Sequence, residues 1–343
     1  MKAMVLAAGV GSRLDPVTGQ VPKPLVPVAN RPVMEHIINL LKKHGITDIA
    51  ANLHYLPDMI RDYFGDGSEF GVQLHFKEEK ELTGDAGGVR ACRDFLGDDT
   101  CIILMGDLLT DADLTNIIAE HKRKRALASI GTKQVDDVSQ FGVVVTDADG
   151  FIKGFQEKPR AEEALSKNAS TGIYVLEPEV FDHIPKHGTY GFGRQLFPSL
   201  VNAGLPVLAV DIPTYWSDVG TLKQYRLTNF DAAHSRVKLA IAGTEKPFGY
   251  VADGAVIEGS IQGRAIIGRG TRIDRGVVLS GTVVVGDGCV IEAGAHVSDS
   301  VIWSGCRVGA KAQVFDSIVC CDVDNDKEHK SDICVHPPVS ARA

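Results

Sequence analysis

Short apolar runs and segments of helical spacing alternate along the first part of the chain; after about residue 245 the helical spacing disappears. MKAMVL, ITDIAANL, VQLHFKE, CIILMGD and LASIGTK read as strands, with PDMIRDYF and LTNIIAEHKRKR as helices between them. In NRPVMEHIINLLKKHG, Val33, Ile37, Leu40 and Leu41 share one helical face, Pro32 suits the first turn, and Lys42, Lys43 and Gly45 supply the closing charge and stop. This alternation predicts a mostly parallel sheet over residues 1–240. FGVVVTDADGFIKGFQEKP reads as a hairpin turning on Asp149 and Gly150.

In the last part, small β-branched residues recur with Gly and Asp. Counting in sixes from Ile267 reaches Ile273, Leu279, Val285, Ile291 and Val297; the series slips at Trp303 and resumes at Val308 and Val314. One aliphatic residue per six predicts a parallel β-helix over 246–321, each repeat forming one face of a coil. With Val251 and Ile257 upstream, three repeats per turn give roughly four coils. Residues 322–343 are polar and read as a poorly ordered tail.

A chain of 343 residues exceeds one ordinary core, and 44% hydrophobic content is enough to bury two. Its net charge of −8 argues against a general affinity for nucleic acid or an anionic membrane. No apolar stretch approaches the roughly 20 residues of a membrane span, and the N-terminus lacks a signal core, so a cytoplasmic protein is expected. Seven cysteines without a C-x-x-C pair read as reduced thiols.

The chemistry concentrates in LAAGVGSRLDPVTGQVPKP, residues 6–24, which follows the first strand. In an open α/β sheet that is where ligands bind. Leu14 stands where a dinucleotide fingerprint needs its third glycine, and there is no G-x-x-x-x-G-K-[ST], so neither familiar phosphate loop is present. What remains is a stiff loop in which Gly9 and Gly11 let backbone N–H groups approach an anion, while Arg13 and Lys23 bring two cations.

LAAGVGSRLDPVTGQVPKPLVPVANRP resembles the G-x-G-[ST]-R-L…P-K-P signature of the sugar-1-phosphate nucleotidyltransferases, and within them most the mannose-1-phosphate guanylyltransferase group. The resemblance spans nearly the whole chain. It implies a Rossmann-like catalytic domain followed by a left-handed β-helix that serves assembly, hence a homo-oligomer. It implies a nucleotide contact by Ala8, Gly9, Gly11, Ser12, Glu79, Gly84 and Gly87, with Arg13, Lys23 and Lys158 as the catalytic cations. Asp107 in ILMGDLL and Asp218 in YWSDVGT would hold magnesium, as hard carboxylates suit that ion. Gly142, Glu157, Lys158, Thr171 and Gly172 would meet the sugar phosphate. Asp85 in LTGDAGGV departs from the pattern, which has threonine there; a carboxylate near phosphates would repel them unless it faces solvent or metal.

The implied reaction joins a nucleoside triphosphate and a sugar 1-phosphate, releasing pyrophosphate. GTP and mannose 1-phosphate are the expected pair: Glu79 and Glu81 precede the base-facing segment, and a carboxylate accepts from both N1–H and the amine of guanine. The alternatives are a glucose-1-phosphate uridylyl- or thymidylyltransferase, or a catalytically silent sugar-nucleotide sensor. A glycosyltransferase is disfavoured because Gly106-Asp107-Leu108-Leu109 lacks Asp-x-Asp, and acyl transfer because His296 is the one histidine of the repeats.

Overall fold

The computed structural model describes residues 1–335. Met1–Val10 and Met34–Trp216 form one compact unit; Gly11–Val33 and the chain from Ser217 onward form the other.

The first unit is built on a nine-stranded sheet. Lys2–Leu6 lies between Asp48–Leu53 and Cys101–Met105, parallel to both, and Gln73–Glu78 extends this parallel half. Asn168–Leu176 then pairs antiparallel with Cys101–Met105 and leads to the Gly142–Thr146/Ile152–Glu157 hairpin and to Ala128–Gln134 and Val207–Asp211. The helices are α1 (Val33–Lys43), α2 (Pro57–Phe64), α3 (Asp85–Ala91), α4 (Arg93–Leu96), α5 (Leu114–Lys124), α6 (Phe197–Asn202) and, in the second unit, α7 (Leu222–Ala233). α1 begins at Val33, one residue later than expected, because Pro32 is spent in a two-residue pairing of Arg31–Pro32 with Pro27–Val28. No helix among the described residues is long and apolar enough to cross a membrane.

In the second unit the six-residue period becomes a parallel coil. Leu279 pairs with Ile261 on one side and Val297 on the other, each eighteen residues away. Ile267, Ile273, Leu279, Val285, Ile291 and Val297 are all fully buried in one core, as are Val308 and Val314 after the slip. Burying each such side chain is worth about 1.5–3 kcal/mol relative to exposure.

Two sequence expectations are corrected here. The polar tail begins later than residue 322: Glu328–Lys330 pairs with Gln313–Phe315, and Ile333–Cys334 with Ile318–Val319, so another coil runs to Cys334. Its charges at Asp322, Asp324 and Glu328 are exposed while Val323 turns inward, a pattern too short to show as a repeat. Residues 336–343 of that expected tail lie outside the described residues. Nor are all cysteines reduced: Cys321 and Cys334 form a disulfide across this last turn, with Cα atoms 6.0 Å apart. The other five are buried, and burial pushes the Cys92 and Cys289 thiols up to about 11, so they are inert. Residues 11–33 and α7 belong to the same compact unit as the coils.

A polar group buried in the first unit makes stability depend on pH. His121 of α5 is fully buried, its Nδ1 2.8 Å from Ser129 Oγ and its Nε2 2.8 Å from Glu177 Oε1. Burial lowers its pKa below the ordinary 6.5, against the opposing pull of Glu177. The folded state therefore favours neutral imidazole, and the unfolded chain takes up the proton first on acidification. This contribution is present above about pH 6.5 and is lost as pH falls through that value. His44 and His234 are lowered too. We expect the melting temperature to decline from pH 7.5 to 5.5 and His121→Gln to flatten that decline; an unchanged slope in thermal melts would remove His121 as a cause.

Candidate active site

Because the first strands run parallel, their carboxyl ends emerge together. Gly106 makes this possible: its N–H donates to Leu6 O at 2.9 Å, and a Cβ there would stand 2.5 Å from that oxygen. Half-buried Asp107 follows at this edge, and buried Ala8 and exposed Gly9 continue the first strand.

Beside them runs a chain of hydrogen bonds. Ala7 N–H donates to Asn52 Oδ1 at 2.9 Å, and Asn52 Nδ2 donates to Glu79 Oε1 at 2.6 Å. Thr83 donates both its N–H and its hydroxyl to Glu79 Oε2, at 3.1 and 2.6 Å. Glu79 is 7% exposed, so the carboxylate expected to read a base is buried and engaged by the chain itself; Glu81 is exposed. Glu79 fixes the Thr83–Gly87 segment to the sheet edge. Gly84 (φ +81°) lies with its α-carbon against Tyr190 O, where a Cβ would come within 2.5 Å, and Gly87 N–H donates to that same oxygen at 3.0 Å.

Asp85 is held by backbone donors. Its Oδ1 accepts from Ala86 N–H at 2.8 Å and from Phe192 N–H at 2.6 Å, tying α3 to the segment after Gly191. Burial raises its pKa, with the two N–H donors and the Lys158 charge opposing. Phe192 is itself fixed, fully buried against Tyr174 and Phe197 at ring distances of 4.7 and 5.2 Å.

This anchoring presents Gly193 to Glu157. A Cβ on Gly193 would stand 2.1 Å from Glu157 Oε2, and one on Gly142 3.2 Å from it, so the carboxylate sits over glycine backbone on two sides. Burial pushes the Glu157 pKa up; the Lys158 and Arg194 charges pull it back and Asp85 adds to the rise. Exposed Lys158 holds φ at +50°, a backbone strain of order 1 kcal/mol, with its N–H bonded to Phe141 O at 3.0 Å. Thr171, expected at the sugar, is 1% exposed; its hydroxyl donates to Gly131 O at 2.7 Å and its carbonyl accepts from Trp216 Nε1 at 2.8 Å. Gly172 (φ +77°) forms the bulge beside it, where a Cβ would meet Met105. Gly193 and Arg194 escaped the sequence reading; the G-x-G of Gly191-Phe192-Gly193 was their only signal.

The second unit carries Gly11, Ser12, Arg13, Lys23 and Asp218. Gly11 (φ +77°) opens a tight turn: Leu14 N–H donates to its carbonyl at 2.8 Å and Thr18 Oγ1 at 3.0 Å, and Lys23 packs against its α-carbon. Buried Leu14 and Val17 root the turn and leave Ser12 and Arg13 exposed. Arg13 and Asp218 converge on Gly220, where a Cβ would stand 3.6 Å from Arg13 Nη1 and 2.3 Å from Asp218 Oδ2.

Parallel strands with glycine-cleared backbone at their carboxyl edge define an α/β protein of the nucleotide-handling class. The chain belongs to the nucleotidyl transferase family, whose model matches residues 2–235; a six-repeat bacterial transferase hexapeptide model matches 264–299, so the coils are of the left-handed kind. It is 41% identical to a UTP–glucose-1-phosphate uridylyltransferase of Synechocystis, over 93% of this chain and 87% of that protein. A mannose-1-phosphate guanylyltransferase of Mycobacterium tuberculosis is 32% identical over 84% of this chain and 82% of its own length. A crystal structure from Bacillus anthracis, assigned as a glucose-1-phosphate thymidylyltransferase with sucrose bound, superimposes with a TM-score of 0.60 at 28% identity, over 67% of this chain and 94% of that one.

The seat of Glu157 is testable without touching Glu157. Gly193→Ala forces only the flexible end of that side chain aside, so melting should stay within about 2 °C. The KM for a sugar 1-phosphate should rise several-fold, roughly the loss of one charged hydrogen bond. An unchanged KM would take Glu157 out of sugar binding.

Proposed function

We propose that the chain is a sugar-1-phosphate nucleotidyltransferase that makes UDP-glucose from UTP and glucose 1-phosphate. The geometry that carries the choice of base is Glu79: its carboxylate already accepts three hydrogen bonds from Asn52 and Thr83, which takes it away from guanine and leaves exposed Glu81 as the one acceptor of the expected pair. The 41% identity to a uridylyltransferase supports the same choice. GTP with mannose 1-phosphate is the second reading, favoured by the 32% identity to a guanylyltransferase.

A phosphate oxygen of the sugar 1-phosphate attacks the α-phosphorus in line, the bond to the bridging oxygen breaks, and pyrophosphate leaves. The attacking oxygen is already anionic, so no general base is required, and catalysis consists of positioning and charge neutralisation. Arg13 and the N–H groups of Gly9 to Ser12 receive the departing pyrophosphate. Lys23 and Lys158 screen the two anionic reactants, and Glu157 accepts from sugar hydroxyls. Among the described residues no three His, Cys, Asp or Glu side chains form a metal-binding group. Asp107 and Asp218 are half-buried hard carboxylates of the kind that hold magnesium together with waters and substrate phosphates. When bound, that ion would neutralise phosphate charge. The hexapeptide coils are the surface through which copies of the chain associate.

Each nucleoside triphosphate paired with a panel of sugar 1-phosphates, read by pyrophosphate release, tests the assignment. UTP with glucose 1-phosphate should be fastest; a preference for GTP with mannose 1-phosphate would install the second reading, and no pyrophosphate from any pair would leave a silent sensor. Arg13→Ala and Lys23→Ala should each lower turnover by on the order of 10²-fold with little change in melting. Near-normal turnover in both would exclude the loop from the chemistry. Magnesium removal by a chelator should abolish turnover, and Asp107→Asn or Asp218→Asn should raise the concentration of magnesium needed; full activity in chelator would overturn the carboxylate assignment.

A further inference from the structure

Between Lys23 and α1 the chain makes a two-residue hairpin, Val28 pairing with Arg31. Its turn residues, Ala29 at φ +49° and Asn30 at φ +65°, are both left-handed. Such a turn favours Asn or Gly, and alanine there costs of order 1 kcal/mol, so the surroundings must impose it. Two contacts do. Ala29 N–H donates to Asn229 Oδ1 at 3.0 Å, and Asn30 Nδ2 donates to the Val285 carbonyl of a hexapeptide strand at 2.7 Å.

Asn229 is fully buried on α7, its Nδ2 held by Tyr225 O at 3.0 Å. α7 is in turn clamped to the coils along its length. Trp303 Nε1 donates to Tyr225 Oη at 2.8 Å, Arg226 pairs with Asp316 at 2.5 Å, and Arg264 donates to the carbonyl of Ala233, the last helical residue, at 2.9 and 3.1 Å. That cation also complements the negative end of the helix dipole. The N-terminal end of α7 follows directly on Asp218 and Gly220, with Thr221 as its cap. The same compact unit thus contains the cationic loop, the helix that leads from Asp218, and the coils to which both are fastened.

We propose that the hexapeptide coils are a positioning platform for the Gly11–Lys23 loop, with Asn30 and Asn229 as the positioning residues that register the loop on α7 and the coils. This rests on the loop holding the triphosphate. The hairpin is one short stiff step from Lys23: Lys23–Leu25 forms a single turn, Val33 N–H bonds back to Val26 O at 3.1 Å, and Val26 and Val28 are fully buried. A shift of the hairpin therefore carries Lys23 with it, and Gly11 against which Lys23 packs.

The test uses the full chain with Asn30→Gly and Asn30→Asp. Both residues accept a left-handed turn, and neither can donate to Val285 O. Trp303→Phe, which removes the indole N–H on Tyr225 together with part of a ring packed on the coil core, probes the same path from the coil side. The expected result is a fall in kcat/KM for the nucleoside triphosphate on the order of tenfold in the Asn30 variants and smaller in Trp303→Phe, while KM for the sugar 1-phosphate moves less than about twofold. In the Asn30 variants melting should stay within about 2 °C of the parent and oligomeric size should match it, which a merely structural role would not allow. Unchanged kinetics in all three, with Arg13→Ala inactive, would overturn the platform; so would activity lost only in step with melting. Full activity of Arg13→Ala would instead overturn the triphosphate loop itself, and the platform with it.

Discussion

Carboxylates seated on backbone that carries no side chain organise this molecule. Glu79 lies 3.0 Å from where Gly88 would have a Cβ, Glu157 2.1 Å from that of Gly193, Asp218 2.3 Å from that of Gly220, and, within the coils, Asp299 2.2 Å from that of Gly281. A carboxylate taken partly out of water needs donors and room; glycine gives the room, and for Glu79 the donors are Asn52 and Thr83. The Asp299 case shows the motif in a purely structural setting, where Oδ1 accepts from Thr282 N–H at 3.0 Å. The other three use the same geometry beside the residues that handle substrate in the proposed reaction. Their anionic ends are thereby kept at fixed places, which matters when the reactants are themselves polyanions.

That constraint explains what could be read from the sequence and what could not. Periodicity reports burial, so the aliphatic ladder from Ile267 to Val297 was legible residue by residue, and the strands of the parallel half to within about two residues. Signature residues with unusual composition, such as Gly11, Arg13 and Lys23, were legible as a loop. A carboxylate's partners were not, because they come from distant parts of the chain. Glu79 reads as an acceptor for a base, yet Asn52, twenty-seven residues earlier, claims it. Asp85 looked like a misplaced charge; its second donor, Phe192 N–H, lies 107 residues away. The last coil was hidden for a different reason: one inward residue, Val323, and a disulfide replace the regular period.

Fixing carboxylates rather than titrating them suits a reaction without a general base. Two groups near the proposed sugar site, Asp85 and Glu157, have pKa values raised by burial, but each is opposed by the positive charge of Lys158. The charge of that lysine is thus shared between two acids before any phosphate arrives. Lys158 is also held in a left-handed backbone conformation, so its direction is set by the chain and not by a free rotamer alone. Strain at a residue that serves as a cation in the proposed reaction is consistent with preorganisation: the cost is met in folding and not at the moment of charge development.

The same logic governs how the two-part sequence works as one protein. A hexapeptide coil is stiff because an inner strand such as Val278–Val285 is hydrogen-bonded on both sides to strands seventeen or eighteen residues away, and stiffness is what a strained turn needs from its support. Were the Ala29–Asn30 turn fastened only to other loops, it could relax by moving them; fastened to Val285 O and to a helix clamped by Trp303, Asp316 and Arg264, it cannot. The coils supply the fixed frame against which a cationic loop of some twenty residues keeps its shape without a large core of its own.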